Sequence, residues 1–200
     1  MPRNPDPIGY DAIDDPYCYR GTTVLKNRAD IRHQDALEAF EHDAALQRAE
    51  EPLPGGRFSA SHYRAIHRHL FQDVYPWAGR YRSVRISKSG SMFCYPEHIA
   101  AQMRALFTHL KSRRFLHGLS RDAFIVEVVA FLAELNAIHP FRDGNGRTQL
   151  AFLDILAAYA GHPLAFERLQ PDSMLVAMVA SFRGDEEPLR QVIRHLTDAA

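Results

Sequence analysis

The sequence predicts an all-α fold, a helical bundle carrying one short β-hairpin. Two segments, "AFIVEVVAFLAELNAI" (123–138) and "AFLDILAAYAG" (151–161), are apolar on nearly every side, which suits helices at the centre of a bundle. Other segments repeat apolar residues at helical spacing and so form its outer helices. One stretch reads differently: Val84 and Ile86, a Ser89-Gly90 turn, then Met92 and Phe93 make a hairpin.

In chain order, the opening "MPRNPDPIGYDAIDDPY" is dense in Pro and Asp and reads as an irregular arm to about residue 20. From Asp30 to Glu50, Ile31, Leu37, Phe40, Ala44 and Leu46 recur at helical spacing, and Pro52, Pro54, Gly55 and Gly56 end that helix. Ser59 caps a second helix, "ASHYRAIHRHLFQ". Its His62, His67 and His69 read as surface residues, because no HExxH or paired cysteines accompany them and His67 and His69 point about 200° apart. Trp77 in "YPWAG" reads as a structural anchor. After the hairpin, Pro96 and Glu97 start a helix that is amphipathic through Ile99, Met103, Leu106 and Leu110. Ser120 caps the first all-apolar helix, and Gly161 and Pro163 stop the second. Two more helices start near Pro171 and Pro188.

The 200 residues suit one domain, and a 46% hydrophobic, 24% charged composition is ordinary for a globular protein. Net charge is zero, so no global field attracts nucleic acid or a membrane. The basic run "HLKSRRFLH" reads as a solvated helix end. The N-terminus lacks the apolar core of a signal peptide, and no apolar run is long enough to span a bilayer. Cys18 and Cys94 read as free thiols in a reducing cytosol, so the chain is expected to be cytoplasmic.

Between the two apolar helices lies "IHPFRDGNGRTQLAF" (138–152). A short bundle connection needs a Gly and an Asn, not His139, Asp143, Asn145 and Arg147 together. Phosphate binding accounts for the excess. Gly144 and Gly146 let the backbone turn and approach a ligand where the next helix begins, and its N–H groups and dipole attract an anion. Arg147 adds a guanidinium fork suited to phosphate oxygens. Asp143 is placed to hold a Mg²⁺ that bridges phosphates, and His139 to take a proton from an incoming hydroxyl. Phe141 anchors the loop in the core.

"HPFRDGNGR" resembles the signature of the Fic family, and the resemblance continues through "HRHLFQDVYPWAGRYR" and "RISKSGSMFC". It implies a single Fic domain over 1–200, with a flap at about 83–95 and a motif loop at 139–147. The activity it implies is transfer of AMP from ATP to a Tyr, Ser or Thr hydroxyl of a target protein, with pyrophosphate leaving. By the same resemblance His139 is the general base and Asp143 the Mg²⁺ ligand. Gly144, Asn145 and Gly146 form the anion hole, and Arg147 contacts the β-phosphate. The flap, with Ile86, Ser87, Lys88, Met92 and Phe93, would register the target by β-strand addition. Family members of this size often act as toxins on bacterial proteins, type II topoisomerases among them.

At one position the chain departs from the family pattern. The pattern carries a second arginine three residues after the first, to hold the γ-phosphate and to pair with an inhibitory glutamate; here Leu150 stands there. No glutamate lies in the family's inhibitory motif, so a separate small helical antitoxin is the restraint expected. Leu150 keeps open a weak or silent Fic module that acts by binding; a transferase of another phosphate-containing group is a further alternative, ranked lower because such family members vary the Gly-Asn-Gly part, which is intact here.

Overall fold

The computed structural model describes residues 15–88 and 91–197. Most of the expected N-terminal arm, and the Ser89-Gly90 turn of the hairpin, lie outside the described residues. The chain divides into two compact units, one of residues up to Ala100 with Pro140–Thr148, the other of Ala101–His139 with Gln149 onward.

In the first unit, α1 (Gln34–Ala49) packs on α2 (Ala60–Phe71). The expected start of α1 at Asp30 is corrected to Gln34. The cause is local: the Asn27 side chain accepts the Ile31 N–H at 2.9 Å and donates to the Ile31 carbonyl at 2.7 Å, taking both groups a helix would use. Leu37 and Ala45 form the buried stripe of α1, whereas Leu46, expected on its apolar face, is exposed. Ser59 caps α2 by accepting the His62 N–H, as expected. The surface reading of the α2 histidines fails for two of them: His62 and His67 are buried on the face that carries Tyr63, Ile66 and Leu70.

The hairpin is short, with β1 (Ser87–Lys88) antiparallel to β2 (Ser91–Met92) and Ser87 opposite Met92. Ile86 and Phe93 are buried just outside the paired residues and fix the hairpin to the core, while Met92 is exposed. Arg82 clamps the hairpin base. Its side chain is buried, and the guanidinium donates to the Val84 carbonyl at 2.7 Å and to the Cys94 carbonyl at 2.6 Å, one on each arm.

The second unit gathers α4 (Arg121–Ile138), α6 (Pro171–Phe182) and α7 (Glu187–Thr197) with the greater parts of α3 (Pro96–Ser112) and α5 (Asn145–Ala160). Its centre is aromatic: Phe107 stands edge-on to Phe131 and Phe152, with ring centroids 5.6 and 5.4 Å away. α4 buries Phe124, Ile125, Val128, Val129, Leu132 and Leu135, as its all-apolar sequence requires. α6 and α7 pack on α4, and Asn136 ties α4 to α6 through a 3.1 Å bond to the Met178 carbonyl. The architecture is the expected all-α one with a small hairpin. Among the described residues, no helix is long and apolar enough to cross a membrane.

Candidate active site

The loop Pro140–Gly144 is built from the inside. Phe141 is fully buried, stacked on Tyr63 with centroids 5.6 Å apart and lying 3.8 Å from the His67 ring. The Asn145 side chain closes the loop on itself: Oδ1 accepts the Phe141 N–H and Nδ2 donates to the Phe141 carbonyl, both at 2.9 Å. Both ends of that amide are therefore engaged, and what Asn145 offers a ligand is its backbone N–H. Gly144 turns the chain at φ +75°, and the Thr148 hydroxyl bonds its carbonyl at 2.8 Å, which sets the start of α5.

The first N–H groups of α5 have no acceptor within the helix. Gly146 sits among them, and a Cβ built there meets nothing within 4 Å. Packing does not demand a glycine at that position, and the open space beside the backbone leaves room for an anion. The Asp143 carboxylate is half-buried, and its Oδ1 accepts the Gly144 N–H at 2.6 Å. An oriented carboxylate beside an open helix N-terminus has the chemistry to hold a hard cation together with a ligand's oxygens.

Arg147 pairs with Glu41 of α1 and lies over the Phe71 ring, 4.6 Å from its centroid. Glu41 also accepts the Tyr75 hydroxyl. Burial first, then the charge of Asp143, pushes the Glu41 carboxyl above its usual range against the opposite pull of Arg147.

His139 ends α4 in the left-handed region, at φ 47° and ψ 65°, with its N–H on the Leu135 carbonyl. Its Nδ1 donates to the Asn136 carbonyl at 3.3 Å, which leaves the acceptor lone pair on Nε2. A non-glycine residue held in that conformation stores strain of about 1–3 kcal/mol. Leu150 is half-buried on α5, one turn beyond Arg147.

Three supports went unseen in the sequence. Asp15 forms a buried ion pair with Arg142 at 2.6 Å, holding the loop from a segment read as irregular arm. The Arg82 N–H donates to the Pro140 carbonyl at 2.9 Å, so the residue that clamps the hairpin also holds the loop. His67 is the third. Its Nε2 donates to the Asp143 carbonyl and its Nδ1 accepts the Gly79 N–H, each at 2.9 Å.

Both bonds of His67 need a neutral ring, and burial pushes its pKa down from 6.5 to about 3. The unfolded chain then binds a proton that the folded one refuses. Stability from this group is complete above about pH 6.5 and declines as pH falls toward 3, by up to about 1.4 kcal/mol per pH unit. Urea unfolding at pH 7, 6 and 5 should show this slope, and His67→Gln should reduce it; an unchanged slope in that variant would refute the assignment.

A helical fold that presents a glycine-opened helix N-terminus beside an oriented acid and an arginine is the arrangement of a Fic-type protein. The chain belongs to the Fic/DOC family, whose model matches residues 57–157. It is 50% identical over 190 residues to the probable protein adenylyltransferase y4lH of Sinorhizobium fredii, covering 94% of this chain and 99% of that one. It is 32% identical over 190 residues to the probable protein adenylyltransferase Fic of Escherichia coli, covering 93% and 94%. Among solved structures it resembles the BepC protein of Bartonella tribocorum with bound AMPPNP, at a TM-score of 0.81 and 27% identity over 90% of this chain and 95% of that one.

Proposed function

We propose that the chain is a protein adenylyltransferase, moving AMP from ATP to a hydroxyl side chain of a target protein. The observation that carries this reading is the open N-terminus of α5 at Gly146, in a chain half identical over nearly its whole length to a protein of that name. Asn145 and Gly146 receive the α- and β-phosphates on backbone N–H groups, Gly144, whose own N–H is held by Asp143, gives the turn that presents them, and Arg147 contacts the β-phosphate. Nε2 of His139 takes the proton of the target hydroxyl as its oxygen bonds to the α-phosphorus and the bond to pyrophosphate breaks. Asp143 would hold Mg²⁺, which when bound neutralises phosphate charge. The hairpin, with exposed Met92 and half-buried Ser87 and Lys88, docks an extended target segment by main-chain bonds, and Ile86 and Phe93 hold it in place from the core. A cytoplasmic toxin restrained by a small helical antitoxin, with a type II topoisomerase as target, is the biological setting this reading favours.

ATP labelled at either the α- or the γ-phosphate, incubated with the protein, Mg²⁺ and cell-lysate proteins, tests the reaction type. Retention of the α-label alone is expected; retention of the γ-label would mean phosphorylation, and retention of neither a binding module. Leu150 makes a second prediction. An arginine there would add a charged phosphate contact, so Leu150→Arg should tighten ATP binding about ten- to a hundredfold by calorimetry. An unchanged affinity would remove Leu150 as the cause of any weakness.

A further inference from the structure

Glu41 lies between Leu37 and Ala45 in the buried stripe of α1. A carboxylate in such a stripe is costly unless partnered, and this one is partnered twice. Oε2 accepts the Tyr75 hydroxyl and Oε1 accepts Nη2 of Arg147. Tyr75 is itself buried and stacked on Trp77 with centroids 4.4 Å apart, so the phenol that holds the carboxylate has little freedom. The Arg147 guanidinium rests on the ring of Phe71, which is fully buried. Arg147 is thus held on one face by an aromatic ring and at one nitrogen by a carboxylate, while 41% of its side-chain surface meets solvent. A guanidinium carries five N–H donors in a rigid plane, so a carboxylate and an incoming anion can share it.

We infer that Glu41 is a positioning residue for the nucleotide: it holds the Arg147 guanidinium in the orientation that receives a phosphate. The inference rests on the reading of Arg147 as a phosphate contact. It gains weight from Leu150, because Arg147 is the one arginine in the sequence of α5. An arginine fixed before the ligand arrives loses less rotamer freedom on binding. The charge of Glu41 works the other way, since a carboxylate near the phosphates repels them. If repulsion dominated, Glu41 would be a competitor and its removal would improve binding.

Calorimetric titration of ATP and of ADP with Mg²⁺ separates these roles, alongside kcat and KM for AMP transfer and a melting curve for each variant. Glu41→Ala should raise Kd and the KM for ATP about five- to tenfold and leave kcat at saturating ATP within about twofold. Glu41→Gln keeps an oxygen for Arg147 and should stay within about twofold of wild type. In an Arg147→Ala background, Glu41→Ala should cost nothing further, because there is no guanidinium left to orient. Tyr75→Phe, which removes the carboxylate's anchor, supplies the same test if Glu41→Ala does not fold: about a two- to fivefold loss, absent without Arg147. Tighter binding in either Glu41 variant would overturn the inference, and so would an equal loss with and without Arg147. A wild-type chain that shows this coupling but transfers no AMP would overturn the transferase reading and leave the inference standing. One that binds no ATP would overturn both.

Discussion

Replacing His139 with alanine is expected to lower AMP transfer by about 10²–10⁴-fold while ATP affinity stays within about threefold. The split follows from where the ring sits. The Nδ1–H is committed to the Asn136 carbonyl, so the imidazole is held in one tautomer with the basic nitrogen at Nε2. The proposed phosphate contacts are other groups, the Asn145 and Gly146 backbone and Arg147. Transfer rates and calorimetry on the same preparation check the split. A variant that keeps transfer within tenfold of wild type would show that another group takes the proton.

The second large effect separates the two glycines of the loop. Gly144→Ala should destabilise the protein by about 2–5 kcal/mol, adding the strain of an L-residue at positive φ to overpacking. The overpacking is specific: a Cβ at Gly144 would lie 2.4 Å from Cε2 of Phe71, a fully buried ring. The melting temperature should fall by roughly 5–15 °C. Gly146→Ala meets open space on a helix, where alanine is the better former by about 1 kcal/mol, so its melting temperature should hold or rise. Its ATP affinity should nevertheless drop, because the methyl group stands where the proposed site receives a phosphate. If Gly146→Ala bound ATP as well as wild type, the anion would have to sit elsewhere.

What could be read from the sequence and what could not divides along physical lines. The all-apolar helices, the Ser59 and Ser120 caps and the Pro96 start all rest on local rules, and all three agree with the structure. The polar residues from His139 to Arg147 stood out in the sequence because they exceed what a bundle connection needs, and the structure gives Asn145, Asp143 and Arg147 partners within the fold as well. The start of α1 was misread because one side chain, Asn27, captures the backbone at Ile31. His67 and Glu41 were hidden by the habit of assigning titratable residues to solvent. Each nonetheless falls in the apolar stripe of its helix, His67 four residues after Tyr63 and Glu41 four after Leu37, and that placement was the available signal. The Asp15–Arg142 pair joins residues 127 apart in sequence, and no local pattern announces such a contact.

The central claim is that this loop passes AMP, and not another group, to a protein hydroxyl. Mass spectrometry of lysate proteins after incubation with the protein, ATP and Mg²⁺ tests it most directly. Peptides heavier by one AMP moiety on a Tyr, Ser or Thr are expected, absent when His139→Ala replaces the wild type. Peptides carrying phosphate alone, or AMP added equally by the His139→Ala variant, would contradict it.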